Sequence, residues 1–239
     1  MTQINITPTT RVECSPADRI TKSLLGYGVI AGPFYLVVAL AQVFTREGFD
    51  PAKHQWSLLA NGGPGWIQIA NFVITGLMVI AFAVGLRRAL DGGVGARWAP
   101  RLVAVYGTGL IAAGIFRADP ALGFPVGTPD GPAVVSWHGL LHLAAGGIGF
   151  TSLAVACFVI GRRYASENRK GWAAFSRLTG VVFLTGFAMV ASTGGNQAAN
   201  LAFTAAIVLV WGWTTAVALD RYRRVAQRSF TTRELPINR

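Results

Sequence analysis

The chain has 239 residues, 52% of them hydrophobic and only 13% charged, against the ~25% charged residues of an ordinary soluble domain. That composition excludes a water-soluble globular domain and makes lipid the natural solvent. A net charge of +11 could suit nucleic acid, but the basic residues stand in short clusters between apolar runs rather than in a stripe on a soluble surface, so they read as cytoplasmic loops and exclude a nucleic-acid partner.

Residues 1–21 mix Thr, Pro, Asn and charges without periodicity and read as a disordered cytoplasmic tail. The region from 22 to 221 then reads as an all-α transmembrane bundle of six helices. The apolar run that opens it is too long for a signal-peptide core, so it is a retained helix. This first span is expected over 23–44, with Gly28 and Gly32 four apart inviting a close helix contact and Pro33 a kink. Residues 45–65 leave the apolar pattern and form a loop, with a short interfacial helix from Trp56 to Ala60. The second span, 66–86, carries Gln68, Asn71 and Thr75 on one face, a polar stripe that should line the bundle interior.

The third span, 102–116, is short, which sets Arg117 at the interface and lets it snorkel outward. Residues 117–133 hold Pro120, Pro125, Pro129 and Pro132 among glycines, a stiff loop. The fourth, fifth and sixth spans are expected over 134–160, 177–191 and 201–219, and 222–239 is a basic cytoplasmic tail. Cys14 lies in the polar tail and Cys157 in an apolar helix, which argues against a structural disulfide.

Lys and Arg counts set the orientation. With both termini cytoplasmic, three lie in the N-terminal tail, four follow the second span, five the fourth and six the last, eighteen of the twenty-one. Arg46, Lys53 and Arg117 remain outside. The expected location is a bacterial plasma membrane, N-in and C-in. Trp56, Trp66, Trp137 and Trp172 fall near span ends, as in an aromatic belt.

The stretch from Phe116 to Gly149 is where charge, proline, glycine and histidine meet a long apolar helix. His138 and His142 are four apart and share a face with Ala145, Gly146 and Gly149, so both imidazoles should point into protein. Packing predicts hydrogen bonds from them to Gln68, Asn71, Asn196 or Asn200, and an Arg117–Asp119 salt bridge at the mouth of the third span. A metal reading exists beside it. Two imidazoles one turn apart can share an ion, with Asp119, Asp130 or His54 as third ligand, but the glutamate of an HExxH motif is absent. The glycines around Pro64 lack the Lys-Ser/Thr ending of a phosphate loop and read as a turn. Two histidines on one face do not bracket a haem, and no internal repeat suggests a transporter.

The runs HQWSLLANGGPGWIQIANF, GIFRADPALGFPVGTP and SWHGLLHLAAG resemble family 998 of the domains of unknown function, six-helix bacterial membrane proteins. The resemblance rests on His54, Ser57, Gly65, Trp66, Phe116, Asp119, Pro120, His138, Gly139 and His142, and many members have Pro where this chain has Arg117. It implies membrane placement and six spans, and supplies no reaction.

The leading functional reading is a non-enzymatic membrane protein whose extracytoplasmic polar cavity binds a small amphiphile or lipid headgroup, using His54, Arg117, Asp119, His138, His142, Gln68 and Asn71. Membrane lipid is the expected partner, and no cofactor is expected. One alternative is a metal-dependent intramembrane hydrolase, with zinc on His138, His142 and Asp119. The other is a non-catalytic partner subunit or scaffold.

Overall fold

The computed structural model describes residues 15–194 and 196–231, so the tail readings for 1–14 and 232–239 lie outside the described residues. Its helices are α1 (Pro16–Thr45), α2 (Gly65–Ala89), α3 (Trp98–Ile115), α4 (Trp137–Ser166), α5 (Lys170–Thr193) and α6 (Gln197–Thr231), with a short 3-10 helix at Trp56–Ala60 between the first two. Among the described residues no strand forms, and six helices are long and apolar enough to cross a membrane.

Every helix extends past at least one end of its expected apolar run, because a helix continues into the polar interface after hydropathy has fallen. α1 begins at Pro16 rather than 23: the Ser15 side chain accepts the Asp18 amide at 3.1 Å, proline takes the first turn, and Asp18 complements the helix dipole. Residues 16–21 are therefore helix and not tail. α6 runs on through 222–231, so the basic tail starts as helix. α3 starts at Trp98 and α5 at Lys170 instead of 102 and 177. α4 starts at Trp137 and not at 134, because Ser136 is its N-cap and accepts the Gly139 amide.

Each helix packs against its neighbours in the chain and α6 returns to α1, so the bundle is a ring closed in sequence order. Lipid gives helices no hydrophobic reason to associate, and close approach of small residues takes over. A Cβ at Gly28 would meet Phe82 of α2 and Ala218 of α6, and one at Gly32 would meet Trp211 and Thr215 of α6. On the opposite flank Gly76 and Gly107 bring α2 and α3 together, each facing the other's carbonyl. Aromatic rings fill the axis: Tyr35 lies 5.2 Å and Tyr106 5.7 Å from Trp211, and Phe150 packs edge-on against Phe183, Phe187 and Phe203.

The polar stripe of α2 faces inward as expected. Gln68, Asn71 and Thr75 are buried, with Gln42 of α1 donating to Gln68 at 2.8 Å and Asn71 to the Tyr35 carbonyl. The short Trp56–Ala60 helix forms over the expected residues, and Trp56, Leu58, Leu59 and Ala60 are buried where it packs on α1 and α2.

Candidate functional site

The α1–α2 and α3–α4 loops interlock at one end of the bundle. Phe124 is fully buried between Phe49, His54 and the Arg46 guanidinium. The His54 Nδ1 accepts the Asp50 amide at 2.9 Å, which leaves the proton on Nε2 to donate to the Leu122 carbonyl, also at 2.9 Å. Asn61 donates to the Ala118 carbonyl, and Asn200 of α6 donates to carbonyls of Pro51, Ala52 and His54. Lys53 reaches Asp130 at 2.8 Å across the loops. That hydrogen bond and charge hold the Asp130 carboxyl below its usual range. Arg46 donates to the Leu59 and Asn61 carbonyls.

Between these loops and the start of α4 lies an open pocket of about 280 Å³, lined by Asn61, Gly62, Arg117, Ala118, Asp119, Pro120, Pro125, Ser136 and His138. Asp119 accepts the Ser136 amide at 2.8 Å and its hydroxyl at 2.5 Å, and Ser136 in turn caps α4. A Cβ at Gly139 would overlap the Asp119 carboxylate, which explains glycine one turn into an apolar helix. The carboxylate thus anchors the α4 N-terminus, where an anion is favoured. The expected Arg117–Asp119 salt bridge does not form. Arg117 is exposed, and among the described residues it has no hydrogen-bond or ion-pair partner.

The two α4 histidines part company. His142 is buried, and its Nδ1 lies 2.9 Å from the Phe116 carbonyl and 3.2 Å from that of Ala113. Both partners are acceptors, so Nδ1 carries the proton and caps carbonyls that the end of α3 leaves unpaired. His138 is exposed at the pocket wall and stacks on Trp137, with ring centroids 3.5 Å apart. The expectation of side-chain partners among Gln68, Asn71, Asn196 and Asn200, and of both imidazoles facing the interior, is corrected. α3 stops at Ile115, one turn short of covering His138, so its free carbonyls fall at the level of His142. Arg117, Asp119 and His138 share the pocket. His142 lies beneath it, His54 is locked in the loop core, and Gln68 and Asn71 belong to the bundle interior. Among the described residues no three His, Cys, Asp or Glu side chains converge as a metal-ligand set.

A charged cluster that sequence reasoning missed occupies the opposite end. Arg169 grips Asp220 of α6 through both terminal nitrogens at 2.7 and 2.9 Å, and Arg221 grips Glu167 at 2.8 and 3.2 Å. Arg163 also reaches Glu167, at 2.6 Å, and donates to the Gly92 carbonyl of the α2–α3 loop. Arg224 approaches both carboxylates, and Tyr164 donates to Asp220. Burial alone would raise the Glu167 carboxyl, but its hydrogen bonds from Arg221 and Arg163 hold it below the ordinary value. The visible signal was a carboxylate inside each of two basic runs, RRYASENRK and LDRYRR.

A closed ring of six apolar helices with polar loops interlocked at one end defines a multi-pass helical membrane protein. Residues 29–220 match the family described as protein of unknown function, DUF998, and the chain belongs to that family. No curated protein and no solved structure matches it.

Proposed function

We propose that this is a multi-pass protein of the bacterial plasma membrane, with both termini cytoplasmic, whose outward-facing pocket at Arg117, Asp119 and His138 binds the headgroup of a small amphiphile or lipid. The observation that carries the reading is an uncommitted guanidinium in an open pocket. An ionisable side chain at the end of a membrane span that has no internal partner is free to meet a polar headgroup. Around the pocket His54, Asn61, Asn200 and Lys53 fasten the two loops, and His142 caps α3. They hold in place the loops that bear the pocket, and Asn61 is the one of them that lines it. A pocket of about 280 Å³ falls just under the roughly 300–1,000 Å³ of sites that enclose drug-sized ligands, so it suits a headgroup and leaves an apolar tail outside.

A photoactivatable lipid incorporated into membranes that contain the protein tests this. Crosslinks are expected on peptides covering residues 116–138. Labelling confined to the lipid-facing surface of α5, at Leu178, Val181 and Val182, would overturn the reading.

A further inference from the structure

We infer that the headgroup taken by this pocket is an anionic phosphate ester, and that its source is a phospholipid entering from the adjoining leaflet. The inference rests on the pocket reading above and adds the chemistry of the ligand. Among the described basic residues, only Arg46, Lys53 and Arg117 lie at this end of the bundle. Lys53 is neutralised by Asp130. The other two flank the pocket: Arg117 lines it, and Arg46 stands behind its wall, with a terminal nitrogen 3.1 Å from where a Cβ on Gly62 would sit. Among the described residues neither arginine has a carboxylate partner, whereas Arg163, Arg169, Arg221 and Arg224 at the far end all have one.

The one carboxylate in the lining, Asp119, is occupied by the Ser136 amide and hydroxyl, and Glu47 and Asp50 are absent from that lining. The pocket therefore holds one unpaired planar guanidinium fork, that of Arg117, a group that suits phosphate oxygens, while Arg46 adds only its charge from behind the wall because its terminal nitrogens are given to the Leu59 and Asn61 carbonyls. His138 adds a ring nitrogen at the same wall. The residues beside the mouth favour a lipid over a soluble phosphate. Val134 is 90% exposed, Val135 64% and Trp137 63%, and they alternate with the pocket residues Ser136 and His138. A headgroup at Arg117 would leave its glycerol and acyl chains against these apolar side chains.

The test uses full-length protein in detergent. Short-chain phosphatidylglycerol, short-chain phosphatidylcholine and water-soluble glycerol phosphate are titrated separately, and adducts are counted by native mass spectrometry. Phosphatidylglycerol is expected to bind as one retained molecule, and Arg117→Gln to weaken it at least about tenfold, as loss of a charge-assisted contact would. Arg117→Lys should restore part of the affinity. Arg117 is exposed and unpaired, so both variants keep the fold. Equal binding of phosphatidylglycerol and phosphatidylcholine, with no effect of Arg117→Gln, would overturn the anion assignment and leave the amphiphile pocket standing. Glycerol phosphate binding as tightly as phosphatidylglycerol would overturn the lipid source. Retention of none of the three would sink this inference, while crosslinks at 116–138 from the photoactivatable lipid would still separate that result from failure of the pocket itself.

Discussion

Asp119→Asn keeps the volume of the side chain but replaces one carboxylate oxygen with an amide donor that faces either the Ser136 amide or its hydroxyl. The α4 N-cap loses a charge-assisted acceptor, and the variant should lose about 1–3 kcal/mol of stability, read as a lower unfolding temperature in detergent. Ser136→Ala should lose a similar amount through the same cap. If neither variant moves the transition, Asp119 is not holding α4 and belongs to the ligand instead. His142→Gln should cost only about 0.6–2 kcal/mol, since an interhelical hydrogen bond in a membrane is worth no more and glutamine can donate in its place. The same residues bear on metal. Among the described residues no third His, Cys, Asp or Glu side chain joins a pair of these as a ligand set, so purified protein is expected to carry no stoichiometric zinc. One zinc per chain, lost in both His138→Ala and His142→Ala, would promote the hydrolase alternative. The sequence singled out Asp119 and the two histidines because they are polar residues in an apolar context. Their partners were illegible: Ser136 is distant in the chain, and main-chain carbonyls at a helix end carry no residue signature.

Helix contacts in this bundle depend on glycines whose missing side chains admit a neighbouring backbone. A methyl at Gly76 would lie 2.6 Å from the Gly107 carbonyl, whereas one at Gly171 in α5 would meet nothing. Gly76→Ala should therefore force α2 and α3 apart and cost about 1–3 kcal/mol, while Gly171→Ala should leave thermal unfolding unchanged. Equal effects of the two would remove close packing as the reason for Gly76. Six spans were readable because apolar runs of membrane length are the mark of membrane-crossing helices, and the Gly28 and Gly32 spacing foretold a close helix contact without naming its partners, which are α2 and α6. Helix ends were not, since hydropathy reports where lipid stops rather than where hydrogen bonding stops. The Ser15–Pro16–Asp18 start was a visible capping signal, obscured by the polar composition around it. The burial of Trp56 against Tyr35 of α1 was not readable, because it depends on how the loop bearing it folds back on the helices.

The two ends of the whole molecule differ in how their charges are used. At the end carrying the α4–α5 loop, Glu167 and Asp220 tie that loop, α2–α3 and α6 together through arginines. Glu167 has a folded pKa below its ordinary value of 4.5. Its contribution is complete above that value and is lost as pH falls through the folded pKa. Stability should be level at neutral pH and decline below about pH 4–5, and Glu167→Gln should flatten the decline while lowering stability at neutral pH. Among the described residues that end also carries all the Lys and Arg except Arg46, Lys53 and Arg117, which argues that it faces the cytoplasm. The chain supplies its own probe of the orientation, because Cys157 is buried and Cys14 belongs to the N-terminal tail. A membrane-impermeant maleimide added to intact cells should leave the wild-type protein unlabelled. Gly131→Cys, in the α3–α4 loop with open space where its side chain would stand, should become labelled. Alkaline phosphatase fused after Arg239 should be inactive. Labelling of the wild type through Cys14, or active phosphatase at the C-terminus, would turn the bundle over and set the Arg117 pocket against the cytoplasmic leaflet.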